Sequence, residues 1–435
     1  MIKKLVLVFI AVFAIQSYAQ EGSASPYSFY GIGSLKFKGT VENQSMGGIG
    51  VYMDSIHVNL KNPASYGGDN LALYNNEGRP VKFSVGGSHS RTTLKSNTSS
   101  DKVSSSTFDY IALSIPMGKL GIGVGLIPYT SVGYKLETLN AAGALSDRFR
   151  GEGGVNRTYL SAGYKINDNF SVGVDARYNF GKIKNSTIEF LYNNDEALTQ
   201  YQSRENNISD LSGLSFNLGL SYKKMITDKL ELMSSLTYSP KSNLNSRNER
   251  YFNTIVIDAS GRELIVNTLN ANLEARGLKE TELTLPSTWS LGAGVGQPRK
   301  WFVGAEYTAQ KTSDFSNALY ASTNTKFEDA TTFSLGGFFI PNYNSFSYLS
   351  RVVYRAGVRF EKTGLNINNQ SIKEFGISFG VGIPVGSLRA FSNANFGVEI
   401  GNRGTTNSNL IQENFVNFNL SLSLNDRWFQ KQKYD

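Results

Sequence analysis

Phe418-Asn419-Leu420-Ser421-Leu422-Ser423-Leu424, followed by Asn425-Asp426-Arg427-Trp428-Phe429, is the stretch whose reading decides the fold. Apolar and small polar residues alternate without a slip, and an aromatic pair follows. Side chains of a strand point to opposite faces with period two, so the segment has one greasy face and one wet face. A water-soluble sandwich uses the same pattern. The decision comes from its recurrence along the whole chain behind an export leader, which together predict a transmembrane antiparallel β-barrel of an outer membrane.

Residues 1–19 have the three parts of a signal peptide. Lys3 and Lys4 form the basic start, Leu5 to Ile15 the apolar centre, and Ser17-Tyr18-Ala19 the small residues of a cleavage site. The apolar run is too short for a bilayer-spanning helix, and no later run is long enough. No cysteine follows the cleavage site to carry a lipid anchor.

With no cysteine anywhere, disulfides and thiolate metal sites are ruled out. Charged residues make up 18% of the chain, below the roughly 25% of soluble domains. Gly, Asn, Ser and Tyr are abundant instead, which suits turns, strands and a polar lumen. Loss of Lys3 and Lys4 lowers the formal charge from +8 to +6. That excess is spread thinly, without the basic cluster and aromatic platform of a nucleic-acid surface.

From about Arg79 onward fourteen alternating segments can be laid out. In the fifth, Phe170, Val172, Val174, Ala176, Tyr178 and Phe180 oppose Ser171, Gly173, Asp175, Arg177 and Asn179. In the sixth, Leu214, Phe216, Leu218, Leu220 and Tyr222 oppose Ser215, Asn217, Gly219 and Ser221. Later, Phe375, Ile377, Phe379, Val381 and Ile383 oppose Gly376, Ser378, Gly380 and Gly382. Each segment is about the length a tilted strand needs to cross a bilayer.

The connections alternate too. Short turns fall at residues 117–119, 166–169, 224–229 and 297–300, with looser ones near 342–349 and 386–390. Longer polar connections span residues 96–105, 137–153, 186–209, 240–285, 311–330, 364–371 and 402–413. Seven long loops joined by six short turns give fourteen strands with both termini in the periplasm. Within the longest loop, residues 254–258 and 263–266 read as a hairpin above the membrane. Counting it in the wall gives sixteen strands, the alternative. Residues 267–279 have room for a short helix.

Residues 20–78 do not alternate and precede the barrel (79–435). Gly and Pro at this density imply tight turns and close backbone approach. The Gly-rich stretches are not phosphate loops, because no Lys-Ser/Thr follows them. A polar and aromatic segment of this length suits a hatch filling the lumen of a wide barrel. Trp301, after a short turn, and Trp428 with Phe429, after the last strand, are the expected interface anchors.

Three features carry a family resemblance: Met46-Gly47-Gly48, Asn62-Pro63-Ala64, and a fourteen-stranded barrel behind them. Leu126-Ile127-Pro128-Tyr129 in the third strand and Leu285-Pro286-Ser287-Thr288-Trp289 opening the eighth agree. The chain is similar to the outer-membrane long-chain fatty acid and aromatic hydrocarbon transporters of the FadL type. The resemblance implies an N-terminal hatch inside the barrel and passive uptake of a hydrophobic small molecule. It also implies sideways release into the membrane at a kinked third strand. Pro128 and Tyr129 are then the expected lateral gate. The plainer reading of Pro128, which lacks a ladder donor, is the end of the membrane-crossing part of its strand.

An enzyme is not expected. His57 and His89 are the only histidines, and no nucleophile elbow or zinc-protease motif occurs. No cofactor, catalytic residue or metal site follows from the residues present. Asp175, Arg177, Glu306, Arg355, Arg359 and Glu399 fall on wet faces, with Arg355 and Arg359 the expected hatch contacts. The expected partners are outer-membrane lipid and a hydrophobic ligand. A second reading, a non-transport subunit of a larger outer-membrane assembly, adds outer-membrane protein partners.

Overall fold

The computed structural model describes residues 23–53, 56–67, 80–258, 260–317, 325–385 and 392–426. The leader and the Trp428-Phe429 pair lie outside the described residues. In chain order the strands begin with β1 (Ser34–Leu35), β2 (Val81–Lys95), β3 (Ser100–Met117), β4 (Leu120–Pro128), β5 (Thr130–Leu139), β6 (Leu145–Lys165) and β7 (Phe170–Glu189). Next come β8 (Gln202–Met225), β9 (Glu231–Ser239), β10 (Ser242–Ile257), β11 (Glu263–Asn270), β12 (Glu280–Leu285), β13 (Thr288–Gln297) and β14 (Trp301–Gln310). The series ends with β15 (Ser316–Asn317), β16 (Thr325–Phe327), β17 (Ala330–Phe339), β18 (Val353–Ile367), β19 (Gln370–Pro384), β20 (Asn393–Arg403) and β21 (Gln412–Asp426).

These strands build a closed antiparallel barrel of fourteen staves. Three staves are interrupted: β4 with β5 at Tyr129, β9 with β10 at Pro240, and β12 with β13 at Pro286. Proline cannot donate to a ladder, and it stands at or beside each interruption. Closure runs through β21 and β2 over their whole length, from Val81 opposite Asp426 to Lys95 opposite Gln412.

The alternation works as lipid face against lumen face. Leu214 and Leu218 are 59% and 50% exposed, whereas Ser215 and Asn217 between them are buried. Apolar side chains this exposed belong in hydrocarbon, where their neighbours are lipid tails. Tyr307, Phe333, Phe360 and Phe375 stand in register across β14, β17, β18 and β19, forming one arc of an aromatic girdle. Trp301, Phe339 and Tyr354 form a second arc at the opposite, short-turn end.

The long connections expected above the membrane are mostly strand. β2 and β3 approach to residues 96–99, and β18 turns into β19 at Asn368 and Asn369, both at positive φ. Likewise β5 and β6 continue through most of residues 137–153. Above the bilayer both faces of a strand meet water, so the polar alternation that marks a stave disappears from sequence. The hairpin at residues 254–266 is present as the outer end of β10 with β11, and β11 stands outside the count of fourteen. The helix expected at residues 267–279 is absent. Residues 267–270 pair with β10, and turns follow.

β8 runs for 24 residues, while a tilted strand crosses a bilayer in about 9–11. Its outer half therefore stands clear with β5, β6, β7, β10 and β11 as a raised crown sheet.

Residues 23–53 and 56–67 thread the lumen. They begin in the outer half, where Ser25 Oγ donates to Glu413 Oε1 at 2.5 Å. The first described residues thus lie inside the barrel rather than at its periplasmic rim. The segment then descends through a four-residue helix α1 (Val41–Gln44), capped reciprocally by Thr40 and Asn43. At the short-turn end Met46, Ile49 and Val51 pack on Met233, Phe302 and Phe338 of the wall.

Candidate functional site

The hatch touches the wall where the wall has no side chains. A Cβ on Gly336 would lie 2.1 Å from the Met46 carbonyl oxygen, and one on Gly357 2.2 Å from the Gly47 nitrogen. Gly47 itself sits at φ +69° and donates its N–H to Ser378 Oγ at 2.9 Å. Gly48 shares the left-handed conformation, at φ +87°. Only glycine meets both demands at Gly47, a left-handed backbone and contact with a neighbouring chain segment.

Asn62, Pro63 and Ala64 repeat this on the other side of the barrel. Asn62 Nδ2 donates to the Leu220 carbonyl at 3.1 Å, and Asn62 Oδ1 accepts from the Ala64 N–H at 2.9 Å. Wall residues Gly163, Gly173 and Gly219 face them without side chains. The motif is therefore a turn that presses backbone against the wall.

Charges fasten the rest. Glu306 accepts from Lys61 Nζ at 2.5 Å and from the Gly50 N–H at 2.6 Å, one bond to each carboxylate oxygen. Near the middle of the lumen Lys38 pairs with Glu374, and Arg359 reaches Glu374 at 2.5 Å and Glu399 at 2.7 Å. Arg403 completes the lattice, 2.6 Å from Glu374. Arg359 thus meets the hatch through a shared carboxylate. Arg355 donates to Asn395 Oδ1 at 2.9 Å, and Asn395 donates in turn to Glu42 of the hatch at 2.7 Å. Arg359 is linked to Lys38 of the hatch through Glu374 of β19, and Arg355 is linked to Glu42 through Asn395 of β20.

Asp175, expected in the lumen, accepts from Arg177 at 2.8 Å and Asn217 at 3.0 Å. Sequence reasoning passed over Lys38, Glu374, Arg403 and Glu413. Glu374 shares the parity of Gly376 and Ser378, so the alternation already placed it inward.

The wall is interrupted at the third stave. β3 pairs with β4 only from Ile111 opposite Leu126 to Met117 opposite Leu120. Among the described residues the outer part of β3, from Ser100 to Tyr110, pairs only with β2, with a bulge at Asp109, while β5 pairs with β6 and with the hatch strand β1. Ser34 lies opposite Ser131 and Leu35 opposite Thr130, and the Lys36 N–H donates to the Tyr129 carbonyl at 3.0 Å. The hatch therefore occupies the edge of β5 that β3 leaves free. Pro128 ends β4, and Tyr129 turns the chain under the Arg157 guanidinium, 3.7 Å from its ring centre.

Three chambers meet at this break. A central cavity of 260 Å³ is lined by Leu35, Phe37, Tyr129, Arg157, Asp175 and Lys61, among others. An outer chamber of 110 Å³ adjoins it past Leu35, with Tyr30, Ile32, Phe315 and Phe327 in its wall. A third, polar chamber of 120 Å³ lies on the β3 side, lined by Ser34, Lys36, Ser88, Asp109 and Arg403. Burial of the Lys36 ammonium lowers its pKa, with nearby Asp109 opposing that shift.

His57 Nε2 lies 3.2 Å from Asn393 Oδ1 near the short-turn end. His89 Nδ1 lies 2.8 Å from Ser106 Oγ, on strand positions outside the three chambers. Among the described residues no group of three or more His, Cys, Asp or Glu side chains is placed to hold a metal ion.

A family model described as BamG matches residues 1–435. Among solved structures, the Pseudomonas putida toluene transporter TodX is 14% identical, with a TM-score of 0.59 over 91% of this chain and 100% of that one. A Pseudomonas aeruginosa FadL homologue is 12% identical, with a TM-score of 0.57 over 90% and 100%. The CymD monoaromatic hydrocarbon channel is 15% identical, with a TM-score of 0.54 over 90% and 99%. At such identities these likenesses establish a shared fold. No curated protein sequence matches the chain.

Proposed function

The chain belongs to the BamG family, and from that premise and the interrupted wall we propose an outer-membrane channel for passive uptake of hydrophobic small molecules. The observation that carries the reading is the break at Tyr129. It leaves the outer half of β3 unpaired on one side and brings three chambers together behind it. A ligand enters the outer chamber among Tyr30, Phe315 and Phe327, passes Leu35 to the central cavity, and leaves sideways between β3 and β5. The hatch strand β1 is the moving part. Its two-residue ladder, the Lys36 to Tyr129 bond and a bond from Arg403 to Ser34 Oγ at 3.3 Å hold it at the gap, each net bond contributing about 1 kcal/mol. The base of the hatch stays fixed on its glycine-lined seats.

The solved relatives named for toluene and monoaromatic hydrocarbons support this class of ligand. A central cavity of 260 Å³ lies just below the roughly 300–1,000 Å³ of ordinary ligand pockets, which favours a compact ligand over a long chain.

Ser34 and Ser131 stand directly opposite in an antiparallel ladder, close enough for a disulfide. The chain has no cysteine of its own, so Ser34→Cys with Ser131→Cys gives a clean staple. Oxidation should abolish uptake of labelled toluene and of a fatty acid into proteoliposomes, and reductant should restore it. Uptake at the same rate in both states would reject lateral gating by β1.

A second reading, a non-transport barrel subunit of a larger outer-membrane assembly, is favoured by the charge lattice. Lys38, Arg359 and Arg403 share the buried Glu374, an arrangement that suits a permanent closure. Purification in gentle detergent separates the readings: a stoichiometric protein partner favours assembly, and a lone barrel carrying lipid favours uptake.

A further inference from the structure

The crown sheet ends in a bare edge. β11 pairs with β10 on one side, from Ile257 opposite Glu263 to Tyr251 opposite Asn270 with one bulge at Val266, and with no other strand among the described residues. Leu264, Ile265, Val266 and Leu269 are 52%, 56%, 58% and 66% exposed. They stand above the outer rim, in water, where no lipid accounts for them.

Among the described residues two other long edges run unpaired at the outer end, that of β3 over residues 100–110 and that of β5 beyond its pairing with β1 at Thr130 and Ser131, and both are charged. The outer part of β3 carries Asp101, Lys102 and Asp109, and β5 carries Lys135 and Glu137. Charges on an edge strand prevent stray pairing. After Glu263, β11 has no charge and no proline through Asn270. A row of unpaired N–H and C=O groups beside branched apolar side chains matches an extended polypeptide, which pairs by β-augmentation. A glycan offers neither the ladder spacing nor the apolar face.

We propose that β11 is the docking edge for an extended strand of a different, surface-located protein. A second copy does not fit. Two barrels in one membrane relate by a two-fold along the membrane normal, which sets their β11 strands parallel. A parallel ladder is slanted and offset, so a two-fold cannot make it self-complementary. An eight-residue edge also buries well under the roughly 1,000 Å² of a stable interface. The occupant is therefore a protein already held at the same surface, for which β11 supplies register. This inference stands whichever way the lumen is used.

The test uses single cysteines and a membrane-impermeant maleimide on intact cells of the native host. Leu269→Cys should label about tenfold more slowly in cells than after purification, while Thr98→Cys at the β2–β3 tip should label equally in both. Adding Val266→Lys, or Leu264→Glu if that variant misfolds, should restore labelling of Leu269→Cys in cells. External protease that leaves the barrel band intact should do the same. Equal labelling in cells and after purification overturns the proposal. So does shielding that persists in the purified monomer, since this chain then covers its own edge. Oxidation of Leu269→Cys to a homodimer, or shielding lost only on stripping lipopolysaccharide, overturns it in favour of a second copy or a glycan.

Discussion

Lys61 of the hatch and Glu306 of the wall form a 2.5 Å ion pair whose carboxylate also accepts the Gly50 N–H. Glu306 is buried and Lys61 is about a quarter exposed, so the pair is only partly screened. Removing one partner of a buried pair costs about 3–5 kcal/mol, and the exposure of Lys61 reduces this to about 2–3 kcal/mol. Glu306→Ala is therefore expected to loosen the hatch without opening the wall. Planar-bilayer conductance should rise while heat-modifiable gel mobility stays that of a folded barrel. Lys61→Met with Glu306→Leu, which strands no charge, should recover most of the loss.

Gly357→Val tests the seat of the Met46-Gly47 turn. The added Cβ would meet the Met46 carbonyl carbon and the Gly47 nitrogen, both at 2.2 Å and both backbone. Backbone cannot swing aside, so the hatch must leave its seat. Small-solute leakage into proteoliposomes should increase several-fold. Ala356→Val, one residue away on the lipid face, should leave leakage unchanged.

The alternation made the wall legible because lipid on one face and lumen on the other impose opposite chemistry on successive residues. Leu214 to Tyr222 could be assigned from that alone. Where both faces meet water, as at the outer end of β8, the same strand geometry leaves no mark. Met46-Gly47-Gly48 and Asn62-Pro63-Ala64 could be singled out as turns, but the wall glycines they press against sit on other staves. Register between distant strands decides such pairs, and one sequence does not carry it. Pro128 was visible as a break. That β1 fills the gap beside it depends on a two-residue strand too short to have a pattern.

The outer end of the hatch is expected to be sensitive to alkali. The Tyr27 hydroxyl donates to the Ile411 carbonyl at 2.5 Å, and burial, reinforced by Glu413, pushes its pKa up to about 12. A phenol raised above its unfolded value of about 10 binds its proton more tightly in the folded state. Its contribution to hatch docking is complete below pH of about 10 and is lost as pH rises through about 12. A fluorophore on Ser25→Cys should report release over that window. In a Tyr27→Phe background, which cannot ionise, this transition should disappear.

Arg157 closes the break from inside. It stacks on Tyr129 and donates from Nε to Asn179 Oδ1 at 2.8 Å, with no ion pair to a carboxylate among the described residues. A desolvated cation over an aromatic ring contributes about 2 kcal/mol, and loss of both contacts frees Tyr129 to leave the gap. Arg157→Ala should therefore speed the uptake of a neutral aromatic hydrocarbon by several-fold. A carboxylate ligand would lose a cation in the central cavity that no protein carboxylate already holds, so fatty-acid uptake should fall in the same variant. Opposite changes for the two ligands would identify Arg157 as both latch and charge filter. Parallel changes would leave it a latch alone, and no change in either would remove it from the route.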